Sequence, residues 1–91
     1  MALKLQDVPR QNEHAASREI GGLIYIVDPD SGELHSLNEV ATRIWMLIDG
    51  ARTVSGIIDA IVDDLEVERS VASEDTLGLL AALQSKGLVG S

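Results

Sequence analysis

Cysteine is absent from this chain of 91 residues, and its only large aromatic side chains are Tyr25 and Trp45. A chain without cysteine has no disulfide, no thiolate metal ligand and no cysteine nucleophile. With aromatic residues at 2% and hydrophobic residues at 45%, the core must be built from aliphatic side chains. The length of the chain fits a single domain with one small core.

Side chains that perform catalysis or bind metals are also scarce. The two histidines, His14 and His35, lie far apart in the sequence, and neither has an acidic or serine partner at a catalytic spacing. Asp28, Asp30 and Glu39 occupy three positions of a calcium-binding loop, but a glycine stands where the fifth-position ligand belongs. We therefore expect no enzyme activity, no metal site and no cofactor.

Positive charge is in short supply, with 7 Lys and Arg residues against 15 Asp and Glu residues and a net charge of −8. Affinity for nucleic acid rests largely on cations that neutralise phosphates, so this balance argues strongly against a nucleic-acid partner. Long apolar runs are missing too, and the opening "MALKLQDVPR" resembles neither a signal peptide nor a membrane span. We expect a cytoplasmic protein with no membrane partner.

Two regions of the chain differ in their pattern. Residues 1–13 are polar, lack periodicity and contain Pro9, which predicts a flexible N-terminal tail. Residues 14–91 carry the periodic apolar pattern of a folded domain.

The first half of this domain predicts three antiparallel strands. Gly21 and Gly22 suit a tight two-residue hairpin turn, and "DPDSG" at residues 28–32 suits a second turn. Between the turns, residues 23–27 are apolar on both faces, as expected of a strand with a neighbour on each side. Residues 33–37 alternate between polar and apolar, which predicts a half-exposed edge strand.

The second half predicts three helices. Asn38 suits the N-cap of the first, although Ser36 and Glu39 also have the spacing of a capping box. Thr53 is the cap of a second helix with a regular 3.6-residue apolar period, and a third begins near Ser70 or Ser73. The fold class is therefore α+β: a small winged-helix-like domain with a three-stranded antiparallel sheet followed by three helices (βββααα). In the first helix, the apolar stripe that includes Trp45 is predicted to fill the core.

A set of motifs links the chain to a known family. The predicted third strand ends in "LN" at residues 37–38, and "EVATRIWMLIDG", "RTVSGIIDAI" and "EDTLGLLAALQSKGLV" follow. Together these motifs resemble the PqqD family, named for pyrroloquinoline quinone biosynthesis protein D, whose members are stand-alone RiPP recognition elements. The resemblance covers residues from about 15 to 89, so residues 14–91 are interpreted as a PqqD-like peptide-binding domain.

The resemblance implies a non-catalytic domain that binds the leader segment of a ribosomally made precursor peptide. Such domains present that peptide to a modifying enzyme, often a radical SAM protein. The leader pairs as an extra strand along the third strand, and the third helix forms the other wall of the groove. The pathway stays open between pyrroloquinoline quinone, a lasso peptide and another modified peptide.

The spacing of residues nominates the two walls of that groove. An alternating edge strand offers unpaired backbone groups to an added strand. On the third helix, one stripe at i, i+3, i+4 and i+7 is assigned to the groove, while Thr76, Leu79 and Leu83 are assigned to the core. The predicted peptide-binding residues are Glu33, Leu34, His35 and Ser36 on the strand and Leu77, Leu80, Ala81 and Gln84 on the helix.

Two other functions fit the fold. A winged-helix transcription regulator that binds DNA is the main alternative, but residues 70–86 contain only Lys86 as a basic group, too few for a helix that reads DNA. An adaptor that binds only other proteins is a weaker one. The exposed edge and the N-terminal tail allow either a monomer or a dimer formed by strand exchange.

Overall fold

Residues 3–91, the part of the chain that the computed structural model describes, form five strands and three helices. Three strands and the three helices follow the predicted order, and a further short strand lies at each end. The elements are β1 (Arg10–Gln11), β2 (Ala16–Ile20), β3 (Leu23–Val27), β4 (Leu34–Ser36), α1 (Glu39–Leu47), α2 (Val54–Leu65), α3 (Arg69–Ser85) and β5 (Val89–Gly90).

The three predicted strands form an antiparallel sheet in the order β2-β3-β4. The hairpin between β2 and β3 turns at Gly21 and Gly22, which have φ values of 61° and 85° that favour glycine. The turn into β4 is closed by Asp28, whose carbonyl accepts a hydrogen bond from Gly32 N–H at 2.9 Å. The central position of β3 and the edge position of β4 confirm the sequence interpretation.

The helix caps of α1 and α2 lie where the sequence predicts them. Asn38 Oδ1 accepts from Ala41 N–H at 2.8 Å, and Thr53 Oγ1 accepts from Gly56 N–H at 3.0 Å. Helix α3 begins at Arg69, slightly before Ser70 and Ser73, and its N-cap residue Glu68 makes no side-chain cap hydrogen bond within residues 3–91. Each side-chain cap satisfies a backbone amide that the first turn leaves unpaired.

Beyond the end of α3, the chain reverses at Gly87, which has a φ of 73°. Leu88 N–H donates to the Leu83 carbonyl at 2.9 Å, and Gly87 N–H donates to the Gln84 carbonyl at 3.0 Å. This pair of bonds is the Schellman motif, and it returns the chain toward the core.

The core lies between the inner face of the sheet and the three helices. Helix α1 packs on β3, and α3 packs on both α1 and α2. Trp45 is 2% exposed, which confirms its predicted role as core filler. Other core side chains are Ile24, Ile26, Ile44, Ile48, Val54, Ile57, Ile58, Ile61, Leu80, Leu83 and Leu88.

The N-terminal segment differs from the prediction. Strand β1 pairs antiparallel with β5, so residues near both ends of the described chain meet in a two-stranded sheet. Leu3 and Pro9 are buried, and Val54 N–H at the start of α2 donates to the Asp7 carbonyl at 2.9 Å. The predicted flexible tail is therefore wrong for residues 3–13, because their partners lie too far along the chain to leave a local pattern. Residues 1–2 of that prediction lie outside the described residues.

Within residues 3–91, none of the helices combines the length and the apolar character needed to cross a membrane.

Candidate functional site

Strand β4 has one free edge. It pairs with β3 on one side, and no strand of residues 3–91 lies on its other side. Two hydrogen bonds show which backbone groups of residues 33–37 face β3. Asp28 N–H donates to the Glu33 carbonyl at 2.8 Å, and Leu37 N–H donates to the Ile24 carbonyl at 2.9 Å.

The free backbone groups belong to Leu34 and Ser36. Successive residues of a strand direct their N–H and C=O groups to opposite sides. Because Glu33 and Leu37 face β3, the intervening Leu34 and Ser36 face the open side. Their two donors and two acceptors form an edge with which a further strand can pair.

The side chains of β4 alternate across the sheet. Leu34 and Ser36 are exposed, and the Leu34 residue is 64% exposed. His35 points the other way, with its side chain 18% exposed and its Nε2 3.9 Å from a carboxylate oxygen of Glu33. Thus Glu33, Leu34, His35 and Ser36 form one continuous segment, and His35 alone among these four is partly buried.

The turn that leads into β4 is ordered by Asp28. Its Oδ1 accepts hydrogen bonds from Asp30 N–H at 2.9 Å and Ser31 N–H at 3.3 Å. These bonds, that from Asp30 first, hold the pKa of the Asp28 carboxyl below its ordinary value because they favour the charged form. The charged carboxylate therefore helps to fix the entry to the edge strand.

A groove opens where β4 ends. Its cavity of about 240 Å³ lies between the N-terminal half of α1 and the middle of α3. Within residues 3–91, helix α3 is not packed against β4, and the cavity approaches the strand at Asn38, two residues beyond its end. The lining residues are Asn38, Val40, Ala41, Ile44, Asp75 and Leu79.

Helix α3 contributes a different wall from the one predicted. Leu80 is 1% exposed and belongs to the core, so its assignment to the groove was wrong. Leu79, which the sequence spacing assigns to the core, lines the groove instead. Leu77 and Gln84 are half-buried and Ala81 is exposed, and none of these three lines the cavity.

The error on α3 has a local cause. The buried stripe is Ala72, Thr76, Leu80 and Leu83, at offsets of four, eight and eleven residues. Leucine also occupies positions next to this stripe, so the apolar pattern alone does not fix the rotation of the helix. The small Ala72, spaced by one turn from Thr76, was the available signal for the buried side.

Thr42 is a positioning residue that sequence reasoning missed. It is 4% exposed, and its Oγ1 accepts a hydrogen bond from Ile24 N–H at 3.0 Å. The same hydroxyl donates to the Leu37 carbonyl at 3.4 Å. Helix α1 is thereby bonded to both β3 and the end of β4. A polar residue within the apolar stripe of α1 was the signal in the sequence.

The fold and the site together define a class of protein. It is a small α+β, winged-helix-like domain with an open strand edge near a groove whose lining is mainly, but not wholly, apolar. The chain belongs to the family described as coenzyme PQQ synthesis protein D (PqqD), whose sequence profile matches residues 24–89. This confirms the family resemblance seen in the sequence. The "PqqA binding protein" of Rhodopseudomonas palustris strain TIE-1 is 36% identical over 52 residues, which are 57% of this chain and 51% of that protein. The match therefore spans about half the length of that curated relative.

Solved structures share the fold. TbiB1 in complex with the TbiA(beta) leader peptide has a TM-score of 0.81 and 26% identity, over 90% of this chain and 95% of that chain. The PqqD truncation of Methylobacterium extorquens PqqCD, a stand-alone RiPP recognition element, has a TM-score of 0.81 and 24% identity, over 99% and 96%. A lasso peptide synthetase B1 complexed with its leader peptide has a TM-score of 0.81 and 21% identity, over 93% and 100%. These matches confirm the α+β class.

Proposed function

We propose that this chain is a non-catalytic carrier that binds the leader segment of a ribosomally made precursor peptide and presents it to a modifying enzyme. The observation that carries the proposal is the open edge of β4, where the backbone groups of Leu34 and Ser36 have no partner strand within residues 3–91. Membership of the PqqD family supports it, as does the likeness to TbiB1, which was solved with a leader peptide.

In this proposal the leader adds a strand to β4. Main-chain hydrogen bonds to Leu34 and Ser36 supply affinity without reading sequence, and side-chain pockets supply selectivity. Leader side chains on the inner side enter the groove between α1 and α3, where Val40, Ala41 and Leu79 offer an apolar lining. The modifying enzyme, for which a radical SAM protein is the leading candidate, then acts on the peptide beyond the bound segment.

The DNA-binding alternative lacks support. Helix α3 would have to be the reading helix, yet Arg69 is its only basic residue. The Arg69 guanidinium is hydrogen-bonded to the Asp59 carboxylate of α2, which neutralises that charge. The curated relative is named for binding PqqA, and two structural neighbours were solved in complex with leader peptides.

Calorimetric titration tests the proposal with a defined set of synthetic peptides. The set contains PqqA of R. palustris strain TIE-1, the TbiA(beta) leader and the products of short reading frames that flank the gene for this chain. We expect at least one peptide to bind saturably with a 1:1 stoichiometry, and a duplex DNA of mixed sequence not to bind at low salt. Failure of every peptide to bind a folded protein would overturn the proposed function.

A further inference from the structure

The outer face of the three-stranded sheet is apolar and uncovered by residues 3–91. Side chains of a strand alternate between faces, so Ile24 and Ile26 of β3 enter the core while Tyr25 and Val27 point outward. Ile20 of β2 and Leu34 of β4 lie on the same outer face. Ile20 is 58% exposed, Val27 is 40% exposed and Leu34 is 64% exposed. A concavity of about 440 Å³ lies here, lined by Ala16, Ser17, Arg18, Ile20, Tyr25, Val27 and Leu34.

A second copy of the chain is a poor occupant of this face. Each copy carries a net charge of −8, so two copies repel one another. Three strands of three to five residues also present a face smaller than the roughly 800 Å² per partner that a stable interface buries.

The face is continuous with the open edge of β4. Val27 and Leu34 are partners in the register of β3 and β4, so their side chains lie side by side. Leu34 is then the last outward side chain before the open edge. On a strand added there, the outward side chain opposite Leu34 would have its Cβ about 4.5–5.5 Å from that of Leu34. Half of the side chains of an added strand must point to this face, since a strand has two faces.

We propose that the guest peptide is read on both faces of its strand, with apolar outward side chains lying on Leu34 and Val27. This inference rests on the proposed function and adds the chemistry of the guest. The recognised segment has apolar residues at consecutive positions, where one enters the groove and the next lies on the outer face. A guest read only by the groove would need apolar residues at alternate positions alone.

The expected effect of a substitution on peptide binding decreases with its distance from the open edge of β4. Neighbouring strands lie about 4.8 Å apart, so Leu34 is adjacent to the guest, Val27 is one strand further and Ile20 is two strands away. Threonine at each position keeps a β-branched side chain suited to a strand and removes apolar surface. The three variants Leu34→Thr, Val27→Thr and Ile20→Thr therefore form a matched series.

The protein series is titrated with PqqA of R. palustris strain TIE-1 or, if that peptide does not bind, with the TbiA(beta) leader or the flanking reading-frame product that does. We expect Leu34→Thr to weaken binding roughly tenfold, Val27→Thr roughly twofold and Ile20→Thr not at all. Amide spectra of each variant confirm that it is folded. Equal affinity of Leu34→Thr and Ile20→Thr would overturn the inference. If Val27→Thr also lost as much affinity as these two, the peptide would cover the whole outer face.

The peptide series separates this inference from the proposed function. Alanine replaces each residue of the paired segment in turn, and we expect losses at consecutive positions. Losses at alternate positions only would overturn the inference and leave the proposed function intact. If no peptide of the set binds the unaltered protein, the proposed function fails, and the inference fails with it.

Discussion

The sheet has two edges, β2 and β4, and their surroundings differ. Beside β2 lies a cavity of about 350 Å³ whose lining includes three charged side chains, Glu19, Glu39 and Arg43. Beside the end of β4 lies the smaller groove, whose lining has one charged side chain, Asp75, and four apolar ones, Val40, Ala41, Ile44 and Leu79. Within the described residues, both strands have backbone groups on one side that pair with no other strand, so the backbone alone does not distinguish the two edges. The difference teaches that the neighbouring side chains determine which edge is suited to a guest.

Charge on the strands follows the same division. Strand β2 carries Arg18 and Glu19 and is exposed along its whole length, and charged residues on an edge discourage pairing with another chain. Strand β4 contains Leu34, His35 and Ser36, with no carboxylate or lysine among them. The charged residues of β2 therefore discourage another strand from pairing with that longer edge, whereas β4 carries no such residues.

The two edges also differ in how firmly they are held. Thr42 bonds α1 to the end of the β4 segment, and Asp28 orders the turn that precedes it. Strand β2 is joined to β3 by the hairpin at Gly21 and Gly22. An edge held in place before binding loses less conformational entropy when a peptide adds to it.

The groove wall on α3 offers the largest expected effect. Leu80→Ala should lower the free energy of unfolding by about 3 kcal/mol, because it leaves a cavity in the core. Leu79→Ala should change stability much less and weaken peptide binding roughly tenfold, since it removes apolar surface from the groove beside β4. Urea denaturation and calorimetric titration measure the two quantities. The reverse assignment, with binding lost only in a stable Leu80→Ala protein, would contradict this wall.

The edges themselves are compared by a pair of proline variants. Leu34→Pro removes an amide that faces the open side of β4 and should weaken peptide binding by about 2–3 kcal/mol, or roughly 100-fold. Glu19→Pro is the matched control on β2: Glu19 is paired with Ile24, whose carbonyl bonds to Leu37 on the β4 side, so the Glu19 amide also faces outward. Proline is tolerated on an edge where the lost amide faces solvent. If Glu19→Pro abolished binding and Leu34→Pro did not, the guest would lie on β2.

Loss of the Thr42 hydroxyl, which bonds α1 to the end of β4, should have a smaller effect on stability than Leu80→Ala. Thr42→Val keeps the shape of the side chain but leaves the Ile24 amide without its 3.0 Å acceptor. We expect the free energy of unfolding to fall by about 1–2 kcal/mol, which urea denaturation measures. An unchanged denaturation midpoint would show that the hydroxyl does not hold the end of β4.

The turn into β4, ordered by Asp28, should have the smallest effect on stability, and that effect should depend on pH. The pKa of Asp28 in the folded chain lies below its ordinary value of 3.8, so its contribution to stability is present above that value. This contribution is lost as the pH falls through the folded pKa. The side-chain amide of an Asp28→Asn variant would still accept a hydrogen bond but would not titrate. We expect thermal stability to fall more steeply below about pH 4 in the unaltered protein than in Asp28→Asn. Equal slopes would remove the role of this carboxylate.

Much of the fold could be predicted from the sequence because its signals are local. Glycine at residues 21 and 22, the caps Asn38 and Thr53, and the regular period of α2 each act within a few residues. The edge position of β4 followed from the alternation of residues 33–37. Pairing of β1 with β5 could not be predicted, since two strands of two residues at opposite ends leave no periodic pattern.

The sequence predicts the edge position of β4, on which the strand wall of the candidate site depends, but it misplaces the helix wall. The strand wall depends on position in the sheet, which turns and alternation determine. The helix wall depends on the rotation of α3 about its axis, and leucines at residues 77, 79, 80 and 83 spread over several faces. Tertiary packing on α1 and α2 resolves that ambiguity by burying Leu80 and leaving Leu79 at the groove.

Amide hydrogen exchange with and without the bound peptide tests strand addition to β4 most directly. In the free protein the amides of Leu34 and Ser36 face the open side and should exchange fast, as should those of Ser17 and Glu19 on β2. With peptide bound, we expect strong protection at Leu34 and Ser36 and unchanged exchange at Ser17 and Glu19. Protection on β2 instead, or on neither edge at saturating peptide, would contradict it.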